Sequence, residues 1–352
     1  MIKLRNLDFR LHSGFALNIE SLDIREGEVF ALIGPNGAGK TTLLNILALL
    51  QEAYPEALEI AGTNALLPSN AMQLRRSMAY LFSRPYLVDD TVYNNVALPL
   101  KFRGQRDSGQ VAEMLDIFRI TYLRDRNADQ LSQGERHRVS LARAFVSRPR
   151  LVLLDEPFSS LDARVKETII SDLARITRAA KTTVVLVTQD QAEALALADV
   201  LAVIKDGRLL QRGEPQEIYS RPVSKEVADF VGVETVLSGG VTGKSDNLCS
   251  VSVGGSTLEV VSGCETGDRV LVCVRPEAVS VSKTAEANSM RNHFRGRIIS
   301  AEPWRLEYRV SVDCGFPIIA AVTKRSLDEM GLKPGDEVYA SFKATAAHLI
   351  KR

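Results

Sequence analysis

Along residues 1–30 apolar and polar positions alternate, at Ile2 and Leu4 and again at Phe15, Leu17 and Ile19, which predicts antiparallel strands. The alternation gives way to an apolar run of strand length, Glu28-Val29-Phe30-Ala31-Leu32-Ile33. After a glycine-rich break, Thr42-Leu43-Leu44-Asn45-Ile46-Leu47 puts apolar residues at helical spacing. A mixed helical stretch is expected over about 71–126, and a further helix opens at 131–135 and runs through Ala144-Phe145-Val146. Leu151-Val152-Leu153-Leu154 reads as a strand that ends abruptly in two carboxylates, Asp155 and Glu156. Residues 163–180 read as a helix, 182–188 as a buried β-branched strand, 191–199 as a helix and 200–205 as a strand. Strands alternating with helices predict an α/β sheet with parallel strands.

The character changes after about Gly232. Helical periodicity fades, and short strands separated by Gly, Ser and Asn take over, so we expect one domain over 1–232 and a small all-β domain over 233–352. The second part carries a weak internal repeat. Gly267-Asp268-Arg269-Val270 leads to Arg275, and Gly335-Asp336-Glu337-Val338 leads to Lys343, each basic residue eight positions after its glycine. Two half-repeats of one small barrel would produce that pattern.

At 352 residues the chain is long enough for more than one core, and its 45% apolar and 25% charged content is ordinary for a globular protein. The formal net charge of +1 lends no support to a nucleic-acid partner. No apolar run approaches the ~20 residues of a membrane span, and the first residues begin as an amphipathic strand and lack a signal-peptide core. Cys249, Cys264, Cys273 and Cys314 lack C-x-x-C spacing and read as free thiols of a reducing compartment. The four histidines show no metal-ligand spacing.

The break between the first apolar strand and its helix reads Gly34-Pro35-Asn36-Gly37-Ala38-Gly39-Lys40-Thr41 and fits the G-x-x-x-x-G-K-[ST] phosphate loop. Glycines let backbone N–H groups approach phosphates, and the helix start, with Thr42 next in line, adds partial positive charge. Lys40 is suited to the β- and γ-phosphates of ATP, and the Thr41 hydroxyl to Mg²⁺. Asp155 at its strand end fits a second Mg²⁺ contact, and Glu156 fits a group that orients or deprotonates attacking water.

Leu131-Ser132-Gln133-Gly134-Glu135, standing just ahead of that acidic strand end, resembles the Leu-Ser-Gly-Gly-Gln signature of ABC transporter ATP-binding subunits. The resemblance spans 1–232 and implies a P-loop NTPase fold with a helical subdomain. It also implies a head-to-tail dimer of two copies in which Ser132 and Gly134 meet ATP held by the other copy. Ser160-Leu161-Asp162 resembles the loop that communicates across such dimers. Two positions depart from the family: Ser83 stands where a glutamine is usual, and Gln189 where a histidine is usual. Leu11 stands at the family's usual adenine-stacking position; Phe9 and Phe15 are the candidates to substitute for it, and both also read as core residues.

Further on, Ser289-Met290-Arg291-Asn292 through Gly296 resembles the opening of molybdate-binding (Mop, TOBE-type) domains, and 342–350 resembles their closing strand. The resemblance implies an oxyanion site drawn from Ser289, Arg291, Asn292, Thr323, Ser326, Lys343 and Thr345, which supply hydroxyl, amide and cationic donors. Taken together, these resemblances imply the ATP-hydrolysing subunit of an importer for molybdate or tungstate. It would lie on the cytoplasmic face of the inner membrane against transmembrane permease subunits, served by an extracytoplasmic binding protein. An importer of polyamine, iron or sugar, and a nucleotide-gated regulator with little hydrolysis, remain open from the sequence.

Overall fold

A computed structural model describes residues 1–11, 14–84, 86–159, 161–284 and 289–352. The chain divides into two compact units, Met1–Gln216 and Glu217–Arg352. The division falls ahead of 232 because the residues that follow Gln216 are tied to the second unit. Arg275 donates to the Tyr219 carbonyl (2.6 Å), and His348 Nε2 is bonded to the Pro222 carbonyl (3.1 Å). Among the described residues no helix is long and apolar enough to cross a membrane.

The first unit is built on a ten-stranded sheet. Strands β1 (Ile2–Arg10) and β2 (Ala16–Ile24) pair antiparallel, and β1 also pairs with β4 (Ala57–Ile60), which carries the short β5 (Thr63–Asn64) at the sheet edge. The other side is parallel. Strands β9 (Val200–Lys205), β3 (Val29–Ile33), β8 (Thr183–Thr188), β7 (Leu151–Asp155) and β6 (Met78–Leu81) follow one another in that order. Strand β10 (Arg208–Gly213) joins the two parts. Residues of β3, β7 and β8 are buried throughout, as expected of parallel strands covered on both faces.

Helix α1 (Lys40–Leu47) follows β3 directly. The stretch expected to be helical over 71–126 resolves into α2 (Pro68–Ser77), α3 (Val92–Phe102) and α4 (Gln110–Ile117), with β6 lying between the first two. The sequence pattern missed β6 because four residues between helices are too few to show a period. Helices α3 and α4 pack on α5 (Gln133–Phe145) to form the helical part of the unit. Helix α6 (Ala163–Ala180) starts at Asp162, whose carboxylate accepts from Val165 N–H (3.0 Å). It buries Ile169, Leu173 and Ile176. It also buries Asp172, whose carboxylate meets Arg138 of α5 and Arg119, both at 3.2 Å, so the signature helix is fixed to α6 by a shielded charge. Helix α7 (Gln191–Leu197) follows β8.

Helix α8 (Pro215–Ser220) runs across the division, and α9 (Lys225–Phe230) leads into the two five-stranded antiparallel sheets of the second unit. The first half supplies β11 (Thr235–Ser245), β12 (Leu248–Val253), β13 (Ser256–Val261) and β14 (Arg269–Val274), then β15 (Ser280–Ser282). The second supplies β16 (Asn292–Trp304), β17 (Glu307–Asp313), β18 (Pro317–Thr323), α10 (Lys324–Met330) and β19 (Glu337–Phe342), then β20 (Ala347–Lys351). The last strand of each half crosses over, β15 pairing with β19 and β20 with β14. Val251, Val272, Val312, Ile318 and Phe342 fill the space between the sheets. The four cysteines are free, with Cys249 and Cys273 buried.

Asn292 closes the barrel. Its side chain accepts from Glu259 N–H and donates to the Glu259 carbonyl, both at 2.8 Å, so it continues the edge of β13 where no strand is available. Thr235, at the matching place in the other half, accepts from Ile319 N–H at 3.0 Å. Asn292 is buried, so Asn292→Ala strands one donor and one acceptor. We expect an unfolding free energy lower by about 2–4 kcal/mol, measured by urea denaturation. A change below about 0.5 kcal/mol would show that the closure does not depend on this amide.

Candidate functional site

The parallel register sets three strand ends at one level. Ile33 pairs with Thr188, and Val187 with Asp155, so Gly34, Gln189 and Glu156 emerge side by side from β3, β8 and β7. Strand β6 adds a fourth end, since Leu81 pairs with Leu154 and Ser83 lies two residues beyond. Ligands of open α/β sheets bind at this carboxyl edge.

The loop 34–41 is shaped by its glycines at two points. A Cβ on Gly34 would lie 2.1 Å from the Ile204 carbonyl oxygen. Gly39 has φ +100°, and a Cβ there would meet the Phe15 ring at 2.7 Å. Phe15 is thus packed on the phosphate loop. Lys40 Nζ donates to the Gly34 and Pro35 carbonyls (2.9 and 3.0 Å) and stands 3.9 Å from Glu156 Oε1. Burial pulls the Lys40 ammonium below its ordinary pKa, with Glu156 and Asp155 opposing. The Thr41 hydroxyl donates to Asp155 Oδ1 at 2.9 Å. Burial pushes the Asp155 carboxyl up, against the Thr41 hydrogen bond.

Glu156 follows its strand with φ +43°, a left-handed conformation that non-glycine residues rarely adopt, while its N–H donates to the Val187 carbonyl (2.8 Å). The β7–β8 pairing therefore continues through the bend that aims Glu156. Tyr80 of β6 donates to Asn45 Oδ1 at 2.9 Å. Burial, with the Asp155 charge beside it, raises its phenol well above the ordinary value. Gln189 is exposed beyond β8, and Ser83 is half-buried in the turn after β6.

Ser132 and Gly134 lie apart from these strand ends, at the start of α5. Ser132 caps the helix, accepting from Glu135 N–H (3.4 Å), while Glu135 Oε2 accepts from the Ser132 N–H and hydroxyl, both at 2.8 Å. Gly134 faces Val165 of α6. Asp162 caps α6, and Ser160 lies outside the described residues.

One cluster was not anticipated from the sequence. Glu193 is buried, accepts from the Thr188 hydroxyl (2.5 Å) and meets Lys166 Nζ (2.6 Å), which also binds Asp190. The capping-box spacing of Asp190 and Glu193 is a local signal, but Lys166 arrives from α6 by tertiary packing alone.

In the second unit, Ser289, Arg291, Lys343 and Thr345 line one cavity of about 650 Å³, together with Asp246 and Asn247. Arg291 also pairs with Glu259 at 3.1 Å. Three residues expected in an oxyanion site lie elsewhere. Asn292 is consumed by barrel closure, as described above. Thr323 caps α10 by accepting from Ser326 N–H (3.2 Å), and its hydroxyl donates to Ser326 Oγ (2.9 Å), so both serve the helix start.

A profile of the ABC transporter family matches residues 17–159, and a TOBE domain profile matches residues 288–349. The molybdate/tungstate import ATP-binding protein WtpC of Pyrococcus horikoshii is 34% identical over 99% of both chains. The spermidine/putrescine import ATP-binding protein PotA of Nitrosomonas europaea is 32% identical over 99% of both. Among solved structures, cbiO1 of Clostridium perfringens, part of the ABC transporter complex cbiONQ, superposes with a TM-score of 0.58 at 26% identity, covering 66% of this chain and 94% of its own. A dimeric ATP-binding cassette in a post-hydrolysis state with ADP and Pi gives 0.54 at 28% identity, covering 61% and 99%. The phosphate loop, the acidic strand end and the relatives matched over nearly their whole length lead to one conclusion: this chain belongs to the ABC transporter family, as an importer-type ATPase that carries a TOBE domain.

Proposed function

We propose that the chain couples ATP hydrolysis to uptake of molybdate or tungstate, working as a pair of copies against transmembrane permease subunits at the cytoplasmic face of the membrane. An extracytoplasmic binding protein would hand over the anion. The observation that carries the substrate is the 650 Å³ cavity where Arg291 and Lys343 meet the hydroxyls of Ser289 and Thr345. Two cations with hydroxyl donors suit a tetrahedral dianion. A polyamine is the second reading. Asp246 in the same cavity and Glu259 beside Arg291 favour it, and PotA proteins match this chain about as well as WtpC does.

In the first unit the backbone N–H groups of residues 36–42 cradle the ATP phosphates, and Lys40 exchanges loop carbonyls for the β- and γ-phosphates. Phe15, resting on Gly39, offers a face to the base. Thr41 and Asp155 present hard oxygens 2.9 Å apart, a donor set that fits Mg²⁺ completed by phosphate and water. When bound, that ion would neutralise charge on the phosphates. Glu156, turned out of β7 by its left-handed backbone, orients the attacking water and accepts its proton. Gln189 turns its amide N–H₂ to the γ-phosphate, and Ser132 and Gly134 close on the ATP of the second copy with hydroxyl and helix dipole. Ser83 is too short to reach across in the way a glutamine would.

Two sets of measurements test this reading. Lys40→Ala should abolish ATP binding and turnover. Glu156→Gln should keep ATP binding within about threefold while phosphate release falls by at least about a hundredfold. Wild-type turnover in Glu156→Gln would remove Glu156 from its role. For the substrate, calorimetry of the full chain should give tungstate binding that weakens about ten- to hundredfold in Arg291→Ala and in Lys343→Ala, the loss of a charge-assisted hydrogen bond worth about 1.5–3 kcal/mol. Binding of spermidine and not tungstate would transfer the assignment to the polyamine reading.

A further inference from the structure

Glu193 has no part in the chemistry described so far, yet its contacts converge on the strand end that carries Gln189. The Thr188 hydroxyl donates to Glu193 Oε2 (2.5 Å) and accepts from Asp190 N–H (3.0 Å). The residues on both sides of Gln189 are therefore held by one system. Asp190 Oδ1 caps α7, accepting from Ala192 N–H (2.8 Å) and Glu193 N–H (3.4 Å). Lys166 supplies the counter-charge, bonding to Asp190 Oδ2 and, at 2.6 Å, to Glu193 Oε1. Lys166 sits in the first turn of α6, where its N–H donates to the Asp162 carbonyl (2.9 Å). Asp162 in turn follows the segment that leaves Glu156.

A carboxylate at 2% exposure needs a partner, and two carboxylates sharing a single ammonium repel when it is removed. Burial drives the Glu193 carboxyl upward while Lys166 and Thr188 oppose it, and its two carboxylate partners hold the Lys166 ammonium above its ordinary value despite burial. These contacts hold Thr188 and Asp190, the residues on either side of Gln189, and so bear on the direction of its side chain. Direction matters for an amide, because only its N–H₂ end can donate.

We propose that Lys166 and Glu193 are positioning residues for ATP hydrolysis, fixing the end of β8 so that Gln189 meets the γ-phosphate, and tying that strand end to the start of α6. The proposal rests on the reading of Gln189 given above. Steady-state phosphate release and ATP affinity of the full chain test it. Lys166→Met should lower kcat about tenfold while KM for ATP stays within about threefold. Lys166→Arg should recover most of the rate, since a guanidinium can serve both carboxylates. A pair that only braces α6 on α7 would lower the melting temperature and leave kcat per folded molecule alone.

Gln189→Ala supplies the decisive background. There Lys166→Met should cost less than about twofold further, because the residue it positions is gone. Should Lys166→Met fail to fold, Glu193→Gln, which removes the charge and keeps an acceptor for Thr188, is expected to give the same pattern. An unchanged kcat in these variants, or a full tenfold loss that persists in Gln189→Ala, overturns the positioning role. A Gln189→Ala variant that turns over like wild type overturns the reading of Gln189 itself, and the role of the pair with it.

Discussion

Parallel pairing of β3, β8 and β7 ends three buried strands at the same level, and the chemistry of the first unit depends on that alignment. A one-residue slip between β8 and β7 would carry Glu156 away from Lys40 and exchange the faces of every side chain on the strand. The register is secured from both ends. Thr183 N–H donates to the Arg150 carbonyl at the bottom, and Glu156 N–H donates to the Val187 carbonyl at the top, beyond the last strand residue. Glu156 holds its left-handed backbone because this hydrogen bond and the packed strands over-determine it.

Around that edge, buried charges stand in small groups with partners of opposite sign. Lys40 stands with Asp155 and Glu156, Lys166 with Asp190 and Glu193, and Asp172 with Arg119 and Arg138. Such groups add little net stability over apolar packing, since desolvation offsets their attraction, but each tolerates few geometries. They join α1 to β7, α6 to α7 and α5 to α6, which are the elements that must keep register around a nucleotide. The apolar core supplies the driving force for folding, and the charge groups select the alignment.

Much of this was legible in the sequence. The phosphate loop, Asp155, Glu156 and the β-branched strand before Gln189 are local patterns, and each fell where its spacing indicated. Strand β6 was not legible, because four residues between two helices carry no period of their own. Nor was the Lys166–Glu193 pair, whose members are brought together by helix packing across 27 positions of chain. In the second unit Ser289, Arg291, Lys343 and Thr345 were drawn together as expected, while Asn292, Thr323 and Ser326 were not. Residue type could not separate them. A buried amide bonding a strand edge and a hydroxyl capping a helix have the same chemistry as ligand donors, and only their surroundings commit them.

The second unit shows how one architecture can yield two different junctions. Its halves exchange their last strands, so each β13- or β18-type edge is closed by a polar side chain, Asn292 in one case and Thr235 in the other. The residue before each is reversed in charge. Arg291 precedes Asn292 and lines the cavity, whereas Glu234 precedes Thr235 and is engaged by Arg309 at 2.7 Å. The basic residues eight places after the repeated glycines diverge as well. Lys343 lines the cavity, while Arg275 is held by the Tyr219 carbonyl and by Glu277 at 3.6 Å. Backbone topology makes both junctions alike, and the side chains around them make them unlike. Arg291 and Lys343 line the cavity, Arg291 while also paired with Glu259, whereas Arg275 and Arg309 are taken up by Tyr219, Glu277 and Glu234 within the fold.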